Sequence, residues 1–312
     1  MNRKNNIFKG FSWIVLGFLL VGIQMPGFAQ QDPVFNQYMN NLLTLQPAYA
    51  GMSGYTNVSA LSRIQWVGFE NAPRTNSFSI QGPFRKYNVG VGLSIVSDRI
   101  GNMVRQTGVY ADYSYRILLD MDNYISFGLK AGFNSYQTHF SEALVHDPND
   151  PVIQNDINKI MPNFGVGVIF HSDAYFLGIS APKIFPSKIS ENAQASVLNF
   201  YAMGGLVWPV TDKMKFKPTF LTRWSPKSPM LVDLSINFLF FDRVWVGGTY
   251  RVSNSYGFIF QAFVNSQIKI GYAYDLTTFT PSQSNAGTHE MLISYDFPYV
   301  KKRYCRFTPR YF

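Results

Sequence analysis

The stretch YNVGVGLSIV, Tyr87 to Val96, alternates with period two. Tyr87, Val89, Val91, Leu93 and Ile95 fall on one side and Asn88, Gly90, Gly92 and Ser94 on the other. Successive side chains of an extended chain point to opposite faces, so this pattern means a strand. Its second face is small rather than charged. A strand open to water gains nothing from glycine and loses backbone entropy to it. Two environments remain: a crowded sandwich core, or a barrel wall whose outside meets lipid and whose inside meets a packed, polar lumen.

The same alternation recurs along the chain. Ile125, Phe127, Leu129, Ala131 and Phe133 oppose Ser126, Gly128, Lys130, Gly132 and Asn134, while Val232, Leu234, Ile236, Phe238 and Phe240 oppose Asp233, Ser235 and Asn237. Counting such runs between residues 57 and 297 gives about fourteen strands, an even number as a single-chain outer-membrane barrel requires. The connections divide into two kinds. VGFENAPRT, residues 141–161, residues 182–195 and TFTPSQSNAG are long; RK near Arg85, DMDN, HSD, VTDKM, FDR and NSQ are tight. The long ones all fall on one rim, which a barrel turns outward, and the tight ones on the periplasmic rim. A soluble sandwich has no reason to keep that parity. The expected fold is therefore all-β: a single transmembrane antiparallel barrel of outer-membrane type spanning residues 57–297, with its apolar face on lipid. The alternation sends Asp112, Arg116, Lys130, Lys215, Lys217, Arg223, Asp233, Arg251, Lys269, Asp275, Glu290 and Asp296 inward. Charges of both signs suggest a filled interior more than a wide water channel. A strand near 196–209 and another near 162–172 are among those expected.

The N-terminus reads as an export signal. Arg3, Lys4 and Lys9 precede the apolar run Phe11 to Ile23, and Gly27-Phe28-Ala29 supplies small residues at cleavage spacing, so residues 1–29 are expected to be removed after Ala29. That run is shorter than the roughly 20 residues of a spanning helix. Later apolar runs are all interrupted by Gly, Asn, Ser, Asp or Lys, so membrane residence has to be as a barrel. Charged residues make up only 14% of the chain, against about 25% in an ordinary soluble domain. Removing the leader takes the formal charge from +9 to +6, and the tail of residues 298–312 supplies +5 of that through Lys301, Lys302, Arg303, Arg306 and Arg310. A nucleic-acid binder would spread such charge along a groove; here it marks one local contact, with a periplasmic partner or with lipid. Cys305 is the one cysteine, so no intrachain disulfide is possible.

Residues 30–56 precede the first strand and carry Phe35, Tyr38, Met39, Leu42, Leu43, Leu45 and Tyr49, which need a place to bury. A plug, a periplasmic docking element and a short helix packed under the rim all fit. Arg63, Gln65, Trp66 and Arg74 sit at the first strand and loop, as girdle and rim residues or as a binding patch. Catalytic, cofactor and metal sites are not expected. The four histidines, His139, His146, His171 and His289, come without a nucleophile motif. HDPNDP, His146 to Pro151, has oxygen donors suited to calcium but reads first as a surface turn.

QQDPVFNQYMNN followed by PAYAG, then RIQWVGFENAPRTNSFSI and late HEMLISYDF, resembles the PorP/SprF family of outer-membrane proteins of the type IX secretion and gliding machinery. The match runs through Asp32-Pro33, Phe35, Gln37-Tyr38-Met39 and Pro47-Ala48-Tyr49-Ala50-Gly51, with Gln46 where the family usually has Asn. The resemblance implies a non-enzymatic barrel without cofactors that helps export or anchor large surface proteins such as adhesins. It also implies association with periplasmic, peptidoglycan-binding secretion components. Residues expected to meet partners are Asp32, Pro33, Phe35, Gln37, Tyr38, Arg63 and Trp66, with the five basic tail residues. A diffusion porin or small-molecule transporter is the competing reading.

Overall fold

A strand whose two faces both avoid water is either buried on both sides or turned to lipid on one; in lipid all of its backbone groups must be paired, and closure of the sheet achieves the pairing. The computed structural model describes residues 34–84, 88–120, 122–138, 156–188, 194–226, 228–278 and 286–297, with the backbone alone at 187–188 and 194–196. Its strands are β1 (Thr56–Ile64), β2 (Arg74–Phe84), β3 (Val89–Ile100), β4 (Val104–Leu118), β5 (Tyr124–Thr138), β6 (Ile157–His171), β7 (Tyr175–Ala181), β8 (Ser187–Lys188), β9 (Gln194–Ser196), β10 (Phe200–Leu206), β11 (Trp208–Thr211), β12 (Met214–Ser225), β13 (Ser228–Phe240), β14 (Val244–Arg251), β15 (Ser255–Phe263), β16 (Ile268–Thr277) and β17 (Thr288–Phe297).

Neighbours in sequence pair antiparallel around the sheet, and β17 pairs back onto β1 from Thr56↔Phe297 to Ile64↔His289. The sheet is a closed antiparallel barrel of fourteen staves, because β10 and β11 both pair with β12 and form one stave. β8 and β9 make a small separate ribbon. Among the described residues no helix is long and apolar enough to cross a membrane.

Two of the boundaries that differ from the sequence expectation have a visible cause in the pairing. The strand expected at 196–209 is broken at Val207, whose N–H turns to Ala174 O at 2.7 Å. Beyond the break Pro209 has no N–H to give the ladder, and the register against β12 shifts between Pro209 and Thr211. The strand expected to begin at residue 162 begins five residues earlier at Ile157. There β5 is long enough to continue the pairing, Ile157↔Thr138, and Thr138 Oγ1 accepts from the Ile157 N–H at 3.0 Å.

The strand ends joined by the four long connections, residues 65–73, 139–156, 182–199 and 278–287, all lie on one rim, the loop rim. The opposite, turn rim carries short connections such as 172–174 and 241–243. At the latter Phe241 and Asp242 both take φ of +53°, the two left-handed central residues of a type I′ turn, closed by the Arg243 N–H donating to Phe240 O at 3.0 Å. β1 starts and β17 ends at the turn rim.

The faces sort as the alternation requires. Val91, Leu93, Phe127, Leu129, Leu234 and Ile236 are exposed on the outside, whereas Ser94, Asp112, Ser114, Ser126, Lys130, Asp233 and Ser235 are buried within. Inside, three of the ion pairs among the described residues join neighbouring staves in register, while Arg63 of β1 also reaches past β17 to Asp275 of β16 at 3.7 Å. Lys130–Asp112 is 2.9 Å, Arg251–Asp233 2.6 Å and Arg63–Glu290 3.2 Å, and each of these pairs is directly cross-strand. What crosses the lumen is the chain's own N-terminal segment.

Candidate functional site

Segment 34–55 has no period that would make it a strand or a long helix. Asn36, Asn40, Asn41 and Gln46 interrupt its apolar residues, and Pro47 forbids a continuous ladder of helical hydrogen bonds. It folds as three 3₁₀ turns, Tyr38–Asn40, Leu42–Thr44 and Pro47–Tyr49. Such turns leave many backbone groups without local partners, and the barrel wall supplies them. Glu290 of β17 accepts from the Asn36 and Gln37 N–H groups at 2.8 and 3.1 Å, and Gln81 of β2 accepts from the Gly51 N–H at 2.9 Å. Lys130 of β5 donates to Leu43 O at 3.0 Å, Ser180 of β7 to Leu45 O at 2.7 Å and Ser114 of β4 to Ala50 O at 2.6 Å. Arg116 donates to Gly51 O at 2.8 Å, and Arg63 of β1 to Val34 O. Side chains add Tyr38 to Thr219 of β12, Asn41 to Ser77 of β2 and Lys269 of β16 to Asn40. Anchors on so many staves around the ring place the segment inside the lumen. It descends from Arg63 and Glu290, near the loop rim, to Gln81 and Arg116, near the turn rim, where β1 begins.

The lumen has two characters. Along β6, β7, β10 and β12, Ile169, Phe176, Tyr201, Met203 and Leu221 form one apolar cluster with Tyr38, Met39, Leu42, Leu43, Leu45 and Tyr49 of the segment. Each such side chain contributes roughly 1.5–3 kcal/mol when fully buried. On the opposite wall Arg63, Asp233, Arg251, Asp275 and Glu290 form a buried charged group, with Arg63 3.2 Å from Glu290 and 3.7 Å from Asp275. The segment turns apolar side chains such as Tyr38 and Leu42 to the first wall, and its Asn36 and Gln37 N–H groups to the Glu290 carboxylate of the second. Phe35 packs on Leu61 and Leu292 beside the charged group.

The small residues of the inner face now have a cause. A Cβ at Gly90 would lie inside the backbone of Ala50, and one at Gly128 inside that of Ala48. Gln46 is fully buried. It caps the third turn by accepting from the Ala48 N–H at 3.3 Å and donates to Val168 O and Ile179 O at 3.1 and 3.0 Å, fastening the turn to β6 and β7. Cavities between segment and wall include one of about 60 Å³ near the loop rim and one of about 20 Å³ against β12–β15.

Of the residues expected to meet partners, Phe35, Gln37, Tyr38 and Arg63 are buried in the lumen and their contacts are within the chain. Trp66 is exposed on the loop rim, with φ of +51°. Asp32, Pro33, Lys301, Lys302, Arg303, Arg306 and Arg310 lie outside the described residues, as do the leader, His139, His146 and the HDPNDP turn. His171 is buried between Ser126, at 3.1 Å, and a stacked Tyr124; His289 is held by Tyr272 at 2.6 Å. Among the described residues no three His, Cys, Asp or Glu side chains are grouped to hold a metal. Sequence reasoning sent Glu290 and Lys130 inward but gave no anchoring role to Asn36, Asn41 or Gln46; polar residues spaced among the apolar ones of 34–55 were the available signal.

The family profile described as "Type IX secretion system membrane protein PorP/SprF" matches residues 27–295. The chain belongs to this family. The segment and the whole barrel fall within that match, so the filled lumen is a feature of a PorP/SprF chain, and the family places it in the outer membrane as part of type IX secretion. No curated protein gives a match. Among solved structures it is similar to the CymD monoaromatic hydrocarbon channel, with 11% identity over 87% of this chain and 95% of that one and a TM-score of 0.52. A FadL homologue of Pseudomonas aeruginosa gives 10% identity over 82% and 94% with a TM-score of 0.50. Omp33 of Acinetobacter baumannii gives 10% over 80% and 100% with a TM-score of 0.42. At these identities the first two show that the PorP/SprF chain shares the outer-membrane barrel fold and nothing about what it carries.

Proposed function

We propose that this PorP/SprF barrel is a non-enzymatic component of type IX secretion that supports export or surface anchoring of large secreted proteins, adhesins among them, and does not act as a diffusion pore. The observation that carries this reading is the occupation of the lumen by segment 34–55, hydrogen-bonded to staves all round the ring. A barrel filled in this way offers no wide aqueous path, so its useful surfaces are its rims and its wall. The loop rim, with exposed Trp66, faces the outside and meets secreted cargo. The turn rim faces the periplasm, where the tail bearing Lys301, Lys302, Arg303, Arg306 and Arg310 meets peptidoglycan-associated secretion components; lipid surrounds the apolar wall. Asp32 and Pro33, leading into the segment, are the remaining candidates for partner contact.

The test is genetic and biochemical together. Removing the chain from its host should abolish surface display of a particular large secreted protein. Gentle solubilisation of the outer membrane should recover the barrel with that protein or with a periplasmic partner. Normal display of every surface protein, with impaired uptake of a small solute, would overturn this reading in favour of a transporter.

A further inference from the structure

On the outer wall, three arginines of neighbouring strands stand side by side at the loop rim. Arg74 of β2 pairs in register with Arg99 of β3, and Arg99 with Arg105 of β4. All three are exposed. The residues beside them in sequence face the other way: Thr75 Oγ1 donates to Asp98 Oδ1 at 2.6 Å, and Asp98 and Gln106 line the inner cavity of about 60 Å³. Arg99 donates to Gly101 O and Asn102 Oδ1 at 3.1 and 2.6 Å, which holds its guanidinium in place without neutralising it. None of the three arginines forms an ion pair among the described residues.

Like charges directly opposite one another on paired strands are destabilising, so this row calls for a counter-charge from outside the chain. Its height says where that charge comes from. Along β4 the outward residues run Ile117, Tyr115, Tyr113, Ala111 and Val109 before Thr107 and Arg105, so the arginines follow the apolar band and stand at the level of lipid head groups. At the same level on the far wall the chain carries rings, with Tyr250 opposite Tyr256 and Phe200 stacked on Trp224 at 5.3 Å, as an interfacial girdle does. β2–β4 carry guanidinium groups there instead. Below Arg74 and Arg99, toward the apolar band, the outer wall is hollowed into a groove of about 460 Å³, lined by Ala60, Ser62, Asn76, Phe78, Ile95 and Met291 among others. Ser62 donates to Asn76 Oδ1 at 2.8 Å, so the polar residues of the groove are partnered within the wall. Guanidinium groups match phosphate in charge and in the fork of their donors, and a groove in a lipid-facing wall suits an acyl chain. We propose that this wall binds a phosphorylated lipid of the outer leaflet, with its phosphate on Arg74, Arg99 and Arg105 and an acyl chain in the groove below. A protein carboxylate would answer the charge alone, whereas one amphipathic lipid answers both features. The proposal rests on the loop rim facing outward, as argued above, and is independent of which cargo the barrel serves.

Native mass spectrometry of the full chain in detergent tests it without cargo or partner. Titration with diphosphoryl lipid A should give a saturable adduct, and lipid A stripped of its phosphates should bind about tenfold more weakly or worse. Arg74→Gln combined with Arg105→Gln should cost a similar factor, while Arg243→Gln, at an exposed position on the turn rim, should leave binding unchanged. Equal binding of the phosphorylated and stripped lipids to the unmodified chain would overturn the proposal even if the double variant failed to fold. Displacement of the lipid by an equal concentration of inorganic phosphate would overturn it in favour of a free-anion site, and lipid-independent dimers abolished by the double variant would overturn it in favour of a second copy. Phosphatidylglycerol binding as tightly as diphosphoryl lipid A would overturn the outer-leaflet assignment while leaving the secretion role standing.

Discussion

At the scale of single residues, the lumen is specified by close approach and by buried acceptors. Gly128 makes the first point. Its missing Cβ leaves room for the backbone of Ala48, so Gly128→Ala should push the third turn off the wall, whereas at Gly248 a Cβ would meet nothing nearer than Gly257 O at 3.6 Å. Gly128→Ala should lower the urea midpoint clearly, and Gly248→Ala should leave it unchanged or raise stability by about 0.4–1 kcal/mol. Equal effects of the two would contradict the close packing. Glu290 makes the second point, since it accepts from two backbone N–H groups of the segment and from Arg63. Glu290→Ala removes one side of a buried pair, a loss of about 3–5 kcal/mol, and should expose residues 34–40 to protease while the barrel still resists detergent. Protection equal to that of the parent would show that Glu290 does not hold the segment. The inward placement of Gly90, Ser94, Lys130 and Glu290 is legible from alternation alone. The attachment of Gln46 to Val168 and Ile179 is not, because it joins residues more than 120 positions apart through backbone carbonyls that no side-chain pattern reports.

At the scale of elements, the strands are legible because lipid on one side and a packed lumen on the other force strict period two. The exceptions are places where something other than that pattern decides. β6 extends to Ile157 because β5 offers it a partner, and β10 ends at Leu206 because Pro209 disturbs the ladder beyond. Segment 34–55 carries no period at all, since its turns answer to acceptors and donors on distant staves; sequence alone leaves it equally suited to several locations. Beyond the last strand, the five basic residues of the tail give a separate expectation. Replacing Lys301, Lys302, Arg303, Arg306 and Arg310 with Gln while keeping every aromatic should leave barrel assembly intact. It should also abolish recovery of a salt-sensitive periplasmic partner, because exposed charge contacts weaken as ionic strength rises. Unchanged recovery of partners from that variant would leave the charge without a docking role.

At the scale of the whole molecule, a closed sheet with an apolar exterior and a core inside its own lumen differs from a soluble protein and from an open pore. Its outer surface carries Leu129, Leu177, Ile179, Trp208 and Ile293 exposed, which only lipid or detergent tolerates over so large an area. All staves are hydrogen-bonded on both sides, so unheated and boiled samples should migrate differently on a gel, and circular dichroism should be that of β-structure. The central claim is that the lumen is filled by the chain itself. Planar-bilayer recording tests it most directly, comparing the intact protein with a variant lacking residues 34–55. A filled lumen predicts little steady conductance from the intact barrel and stable openings once the segment is gone; large, stable, ion-conducting openings in the intact protein would contradict it.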